Sequence, residues 1–249
     1  ARILHCSQRL IMNRLQEYSI KKRSVQEAKS LTKPRYKRTD FSKNLEEKAY
    51  LIGFRLGDLY VSKTHPNSPT IRISTNTTKT EQLELVEELF SHYGHVKRYN
   101  RDKNGAISIR CFVNNSFSFL LKKEGGIERW IVKNKKYFFS FLGGYIDAEG
   151  HFSNKYNNAF SMNTQDEKIM RQISIYLNKY GIRCMKPRLT RKAGNIMNGI
   201  KSNKDVWTIN IYNRKNLIKL IESIKKYMKH KKRKADMITT LNKIQYVGS

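Results

Sequence analysis

Acidic residues are scarce in this chain. Its 249 residues hold 20 Asp and Glu against 50 Lys and Arg, a formal net charge of +30. A positive field that large predicts an extended polyanion as partner, most simply nucleic acid. Long apolar runs are missing too. None approaches the roughly 18 residues of a membrane-crossing helix, and no signal peptide is visible, so no membrane partner is expected. Cysteine is sparse: Cys6, Cys111 and Cys184 are odd in number and widely spaced. They fit neither a disulfide framework nor a zinc cluster, and imply an intracellular, reducing compartment such as cytoplasm, nucleoid or organelle matrix. The six histidines show no ligand spacing. The chain starts at Ala1 rather than Met, as a processed or trimmed protein would. Its length permits one large core or two smaller ones. A ribosomal or chromatin-type basic protein would satisfy the charge alone.

What is present is a repeat. The stretch Phe141-Leu142-Gly143-Gly144-Tyr145-Ile146-Asp147-Ala148-Glu149-Gly150 reads as an apolar helix with small residues at Gly144 and Ala148, ending in a carboxylate and a glycine. Earlier stands Leu51-Ile52-Gly53-Phe54-Arg55-Leu56-Gly57-Asp58. One constant offset puts Leu51 on Leu142, Gly53 on Gly144, Phe54 on Tyr145, Gly57 on Ala148 and Asp58 on Glu149. Small residues four apart on both copies let two helix backbones approach closely, as in membrane helix pairs. Both helices would then carry an acid to the same end of their contact. Two carboxylates a few ångströms apart repel unless cations lie between them, so the pair suggests a divalent-metal site.

These residues resemble the LAGLIDADG homing endonucleases, in the single-chain form with two motif copies. LGGYIDAEG is close to the family motif; LIGFRLGDL is looser, with Leu59 where the family usually has glycine. The resemblance covers roughly residues 46–247.

Residues 1–45 form a basic N-terminal extension outside the repeat. Leu10, Ile11, Leu15 and Tyr18 could line a helix, a second helix is expected near Val25–Leu31, and Lys33–Arg38 reads as a linker. It could clamp DNA, pack on the core or stand in solvent. The first half is placed at 46–136. Thr70–Asn76 alternates as a strand with Ile71 and Ile73 inward, and Glu81–Tyr93 is an amphipathic helix stopping at Gly94. Strands at Val96–Arg101 and Ala106–Val113 flank the hairpin signal Asn104-Gly105. A helix is expected over Ser116–Lys123. The second half, 137–249, repeats the order: strand Ala159–Asn163, helix Glu167–Tyr180, strands Arg183–Thr190 and Val206–Tyr212, and helix Asn216–Tyr227. Its loop Arg191–Asp205 is longer, and the basic run Lys229–Lys234 precedes a last helix, Ala235–Lys243. That run also has the look of a nuclear-localisation patch.

The class is therefore α+β: two pseudo-symmetric αββαββα halves. The resemblance supplies the assembly, a DNA-binding saddle joined through the two motif helices. Outward strand faces in a major groove can read bases. The candidate contacts are Arg72, Ser74, Lys97, Arg98 and Arg110 in the first half, and Ser161, Arg188, Thr208 and Asn210 in the second.

Asp58 and Glu149 are the candidate metal ligands and catalytic acids, with Mg²⁺ the expected ion because oxygen ligands and phosphate suit it. A carboxylate at a helix C-terminus is electrostatically unfavourable, so two at matched places argue for function over chance. Asp147 maps onto Leu56 and is read as structural or DNA-facing. By resemblance, Asn76 and Asn163 (or Thr164) occupy the family's polar position at the end of the second strand. Lys231 matches its lysine between the last two helices, and Lys133 or Lys135 is the first-half partner; a solvated charge or a phosphate contact would explain each lysine as well. The reading is a monomeric, site-specific, metal-dependent double-strand DNA endonuclease, free-standing or intron-encoded since no splicing blocks are apparent. The alternatives are an RNA maturase on the same scaffold and a non-catalytic DNA-binding regulator.

Overall fold

The computed structural model describes residues 5–24, 36–123, 125–153, 158–197 and 200–246. The helix expected at Val25–Leu31 and the first part of the linker lie outside them. At the centre are two helices, α2 (Leu45–Asp58) and α5 (Lys135–Glu149). Each starts on an asparagine. Asn44 Oδ1 accepts from the amides of Glu46 and Glu47, and Asn134 Oδ1 from those of Lys136 and Tyr137. Such caps satisfy amides that no intrahelical carbonyl can reach.

The two helices cross where neither has a side chain. A β-carbon on Gly53 would overlap the Phe141 carbonyl oxygen and stand 2.9 Å from the Tyr145 amide; one on Gly144 would overlap the Tyr50 carbonyl. One turn on, a β-carbon on Gly57 would overlap the Ala148 methyl. Bulk is moved to the flanks, where Tyr50 stacks near Phe54 and Phe141 near Tyr145 in matching pairs. Two hydrogen bonds cross the seam: Ser140 Oγ to the Glu46 carbonyl at 2.6 Å, and Tyr50 Oη to Asp147 Oδ2 at 2.6 Å. Both helices end in extended backbone, at Leu59 (φ −101°) and Gly150 (φ −84°). Neither angle demands glycine, so Leu59 ends its helix without strain and is buried there.

After α2 come β1 (Tyr60–Lys63), β2 (Ile71–Thr77), α3 (Thr80–Phe90), β3 (His95–Arg101) and β4 (Ile107–Val113), then a 3₁₀ turn, Asn115–Leu120. The strands form an antiparallel sheet in the order β1-β2-β4-β3. A short helix α4 (Arg129–Lys133) leads into α5. The second half follows with β5 (Gly150–Ser153), β6 (Ala159–Thr164), α6 (Glu167–Lys179), β7 (Arg188–Arg191), the small hairpin β8 (Ile196–Met197) and β9 (Ile200–Lys201), β10 (Val206–Ile211), α7 (Arg214–Ile224) and α8 (Lys231–Tyr246). Its main sheet runs β5-β6-β10-β7, the topological copy of the first. Alternate strand residues (Ile71, Ile73, Ile109 and Cys111; Phe160, Met162, Ile209 and Ile211) are buried under the helices. A single apolar core runs through both halves.

Several elements differ from the sequence reading. The helix over Ser116–Lys123 is a 3₁₀ turn that ends at Leu120. The strand expected from Arg183 begins at Arg188, because Asn178 turns to bond both the amide and the carbonyl of Cys184 and holds that segment off the sheet. The long loop carries a small hairpin, fixed by Asp205 accepting from the Ala193 amide at 2.8 Å. The last helix starts at Lys231, so most of the basic run is helical. Residues 36–41 pack on the first sheet: Tyr36 stacks on His95, Arg38 donates to Thr70, and Phe41 is buried. α1 (Gln8–Glu17) buries no residue. Cys6, Cys111 and Cys184 are unpaired, and among the described residues no helix is long and apolar enough to cross a membrane.

The seam makes a direct prediction. Gly144→Ala adds one methyl against backbone that cannot give way, so it should destabilise the fold by about 3 kcal/mol, with Gly144→Leu worse. Urea denaturation checks this; an unchanged midpoint for Gly144→Leu would mean that the helices do not meet at this residue.

Candidate active site at the helix seam

The paired helices deliver Asp58 and Glu149 to one end, both half-buried. Each acid opens onto its own cleft. Asp58 lies with Thr75, Asn76, Thr77, Lys79, Gln82 and Arg233. Glu149 borders that space and also lines a second one with Leu56, Gly57, Lys123, Asn163, Thr164, Gln165 and Asp166. The ends of β2 and β6 therefore bring Asn76 and Asn163 to matching positions beside the acids, with Thr164 next to Asn163.

Electrostatics couple the acids. Burial pushes the Asp58 carboxyl above the usual range, against the nearby charges of Arg233 and Lys79 and a 2.7 Å hydrogen bond from Gln82 Nε2. Burial, and next the charge of Asp58, raises Glu149 to about 7, opposed by Arg233 and Lys123. The pair is thus short of positive charge. Among the described residues no cluster of three or more His, Cys, Asp or Glu is shaped to hold a metal ion by itself. Two carboxylates beside amides and hydroxyls form an all-oxygen donor set that fits a hard divalent cation keeping its remaining positions for water and phosphate.

The basic residues at the acids are not the ones expected. Lys231 is exposed, and its Nζ binds Glu84 Oε2 at 2.8 Å, outside both clefts. Lys133 closes α4 and Lys135 opens α5, so both stand at the opposite end of the motif helix from Glu149, roughly 20 Å away at 1.5 Å per residue. Their places are taken by Arg233, whose Nη1 donates to the Ile146 carbonyl at 2.8 Å, and by Lys123. Helical spacing points to Arg233, four residues before buried Met237 on the inner face of α8. Gln82 had a signal too, as an amide on the apolar stripe of α3 with Leu85, Val86 and Leu89. Lys123, just beyond a 3₁₀ turn, had none.

Asp147 is fully buried. It accepts from Tyr50 Oη and from the Lys229 amide at 2.7 Å, tying both motif helices to the start of α8, and burial raises its pKa. It is structural. Of the candidate contacts on the sheets, Arg72, Ser74, Lys97 and Arg110 share the outer face of the first, and Ser161, Thr208, Asn210 and Arg188 that of the second, as the register requires. Arg98 does not. Neighbouring strand residues point to opposite faces, so with Lys97 outward Arg98 turns to the helix side and clamps Glu87 at 2.5 and 2.6 Å.

Residues 137–225 match the family model of the LAGLIDADG-like domain. Most of the architecture matches solved structures of two-copy homing endonucleases. The homing endonuclease I-WcaI bound to its DNA recognition sequence aligns over 79% of this chain and 88% of its own, at 17% identity and TM-score 0.54. I-DmoI in complex with DNA and Mn aligns over 73% and 97%, at 20% identity and TM-score 0.51. I-DmoI with DNA and Ca aligns over 72% and 89%, at 20% identity and TM-score 0.50. The fold is therefore the two-domain LAGLIDADG fold, with a LAGLIDADG-like domain as its second half.

The acid pair predicts a pH response of the metal-free protein. Glu149 holds its proton to about pH 7 in the fold but releases it near its ordinary value of 4.5 when unfolded. Below pH 4.5 neither state loses it; between 4.5 and 7 the unfolded chain ionises first, and native stability falls. With allowance for solvent screening the loss is about 1–2 kcal/mol. Urea midpoints at pH 4.5 and 7.5 should show this fall in the parent and a smaller one in Glu149→Gln; equal falls would mean that Glu149 keeps its ordinary carboxyl pKa in the fold.

Proposed function

We propose that this two-copy LAGLIDADG chain is a monomeric, site-specific endonuclease that hydrolyses double-stranded DNA at a long asymmetric target, using a divalent metal ion, Mg²⁺ by preference. The observation that carries this reading is the convergence of Asp58 and Glu149 at one end of the seam, between two clefts that each hold an asparagine and a cation. The +30 charge supports a polyanionic substrate. Relatives of the same fold are described as bound to DNA, with Mn or Ca in two structures.

In this reading Asp58 and Glu149 would hold the ion, which when bound would activate water and offset charge on the phosphate. Gln82 keeps one oxygen of Asp58 engaged and so fixes the direction of the other. Arg233, anchored on the Ile146 carbonyl, offers a fixed cation on the Asp58 side where negative charge builds on a scissile phosphate, and Lys123, lining the other cleft, offers a second cation on the Glu149 side. Asn76 and Asn163 are positioned to orient water. The outer sheet faces bind the duplex on either side of these centres. An RNA maturase fits less well, since the deep, narrow major groove of A-form RNA does not admit a reading sheet. A binding-only regulator would have no use for two acids next to a phosphate backbone.

Duplex cutting and band shift, run side by side, test the assignment. Asp58→Asn and Glu149→Gln should each retain binding and lose cleavage by at least about 100-fold, a loss of more than ~2.7 kcal/mol of transition-state stabilisation. Arg233→Ala should lose a comparable factor while Lys231→Ala cuts as the parent does. Parental cleavage by both acid variants would place the chemistry elsewhere; loss in Lys231→Ala with none in Arg233→Ala would return the role to the lysine.

A further inference from the structure

The outer faces of the two sheets differ in chemistry. On the central strands of the first, Arg72 (β2) and Arg110 (β4) share one face, and Lys97 lies opposite Arg110 on β3. Neither arginine is loose. The Arg110 guanidinium lies 4.5 Å from the centroid of the Tyr99 ring, which Lys97 also approaches at 5.1 Å. Arg72 Nη2 donates to Ser62 Oγ at 3.2 Å, while its buried Nε has no partner. The matching central strands of the second sheet are neutral: Ser161 on β6 faces Asn210 on β10, and Thr208 donates to Asn163. In a chain with 50 Lys and Arg, that neutrality is notable. Cations of that sheet, Arg188 and Arg191, stand on the edge strand β7, paired with Thr208 and Val206.

In the major groove a planar guanidinium matches the paired acceptors N7 and O6 of guanine, and an Asn amide matches N7 and N6–H₂ of adenine. A guanidinium resting against a ring meets adenine's amino group donor to donor, so it selects as well as attracts. Resting on the endonuclease reading above, we infer that the target is asymmetric in base composition. The half under the first sheet is read at G·C pairs through Arg72 and Arg110. The half under the second is read at A·T pairs through Asn210, with Ser161 and Thr208 beside it. Tyr99 is a specificity-positioning residue, acting through Arg110.

The test is selection by band shift from a duplex library randomised across the site, in Ca²⁺, followed by sequencing, with the parent, Arg110→Ala, Tyr99→Leu and Asn210→Ala. The substituted side chains lie on the outer sheet faces, and melting curves confirm that each variant is folded; Arg110→Gln and Asn210→Ser replace any that melts early. The parent consensus should concentrate G·C pairs on one side of its centre and A·T pairs on the other. Arg110→Ala should lower preference at a G·C position on the first side by about ten-fold or more, and Tyr99→Leu should weaken the same position. Asn210→Ala should act at an A·T position on the opposite side. Equal composition of the two halves, or variants that weaken all sequences alike, would overturn the inference and leave the endonuclease reading standing. Retention of no duplex by the folded parent would overturn both.

Discussion

Everything at the candidate active site depends on two helix backbones touching at Gly53 and Gly144. The contact has no side chain to absorb error, since a β-carbon at either position would fall on a carbonyl oxygen of the other helix. It therefore fixes separation and rotation together. Asp58 and Glu149 follow at equivalent places on α2 and α5, so the geometry of the seam becomes the geometry of the acid pair. Asp147 extends the constraint outward: its buried carboxylate joins Tyr50 of one motif helix to the Lys229 amide, and α8 then carries Arg233 to the acids.

The site is held under electrostatic tension. Two half-buried carboxylates sit at helix ends whose dipoles already disfavour negative charge, and burial, with the Asp58 charge next, raises Glu149 to about 7. Arg233, Lys79 and Lys123 relieve part of this, but by position rather than by close ion pairs: the salt bridges of the described residues lie elsewhere, on exposed helix and strand surfaces. A cation entering between the acids would relieve the rest, and a phosphate would complete its oxygen shell. The surrounding protein is thus strongly basic while its centre remains open to positive charge.

Much of this was legible in the sequence because the signals were periodic. Small residues spaced by four identified the seam, strict alternation identified the inward faces of β2, β4, β6 and β10, and the repeat gave the second half from the first. The failures have equally physical reasons. The run Lys229–Lys234 holds five Lys and Arg around His230, and among its cations only the phase of the following helix separates inward Arg233 from outward Lys231. Lys97 and Arg98 are adjacent, so they cannot share a face, and the sequence pattern alone did not say which turned to Glu87. Lys133 and Lys135 are close in sequence to the second motif but lie at its wrong end, since a helix of 15 residues separates its termini by roughly 20 Å.

The central claim is that the seam makes Asp58 and Glu149 one catalytic unit. A double-mutant cycle on single-turnover duplex cleavage, comparing the parent, Asp58→Asn, Glu149→Gln and the double variant, measures this directly. If the acids act together, the double variant should cleave no more slowly than the slower single variant, within about a factor of three. A double loss equal to the product of the two single losses would show two independent sites and contradict the account.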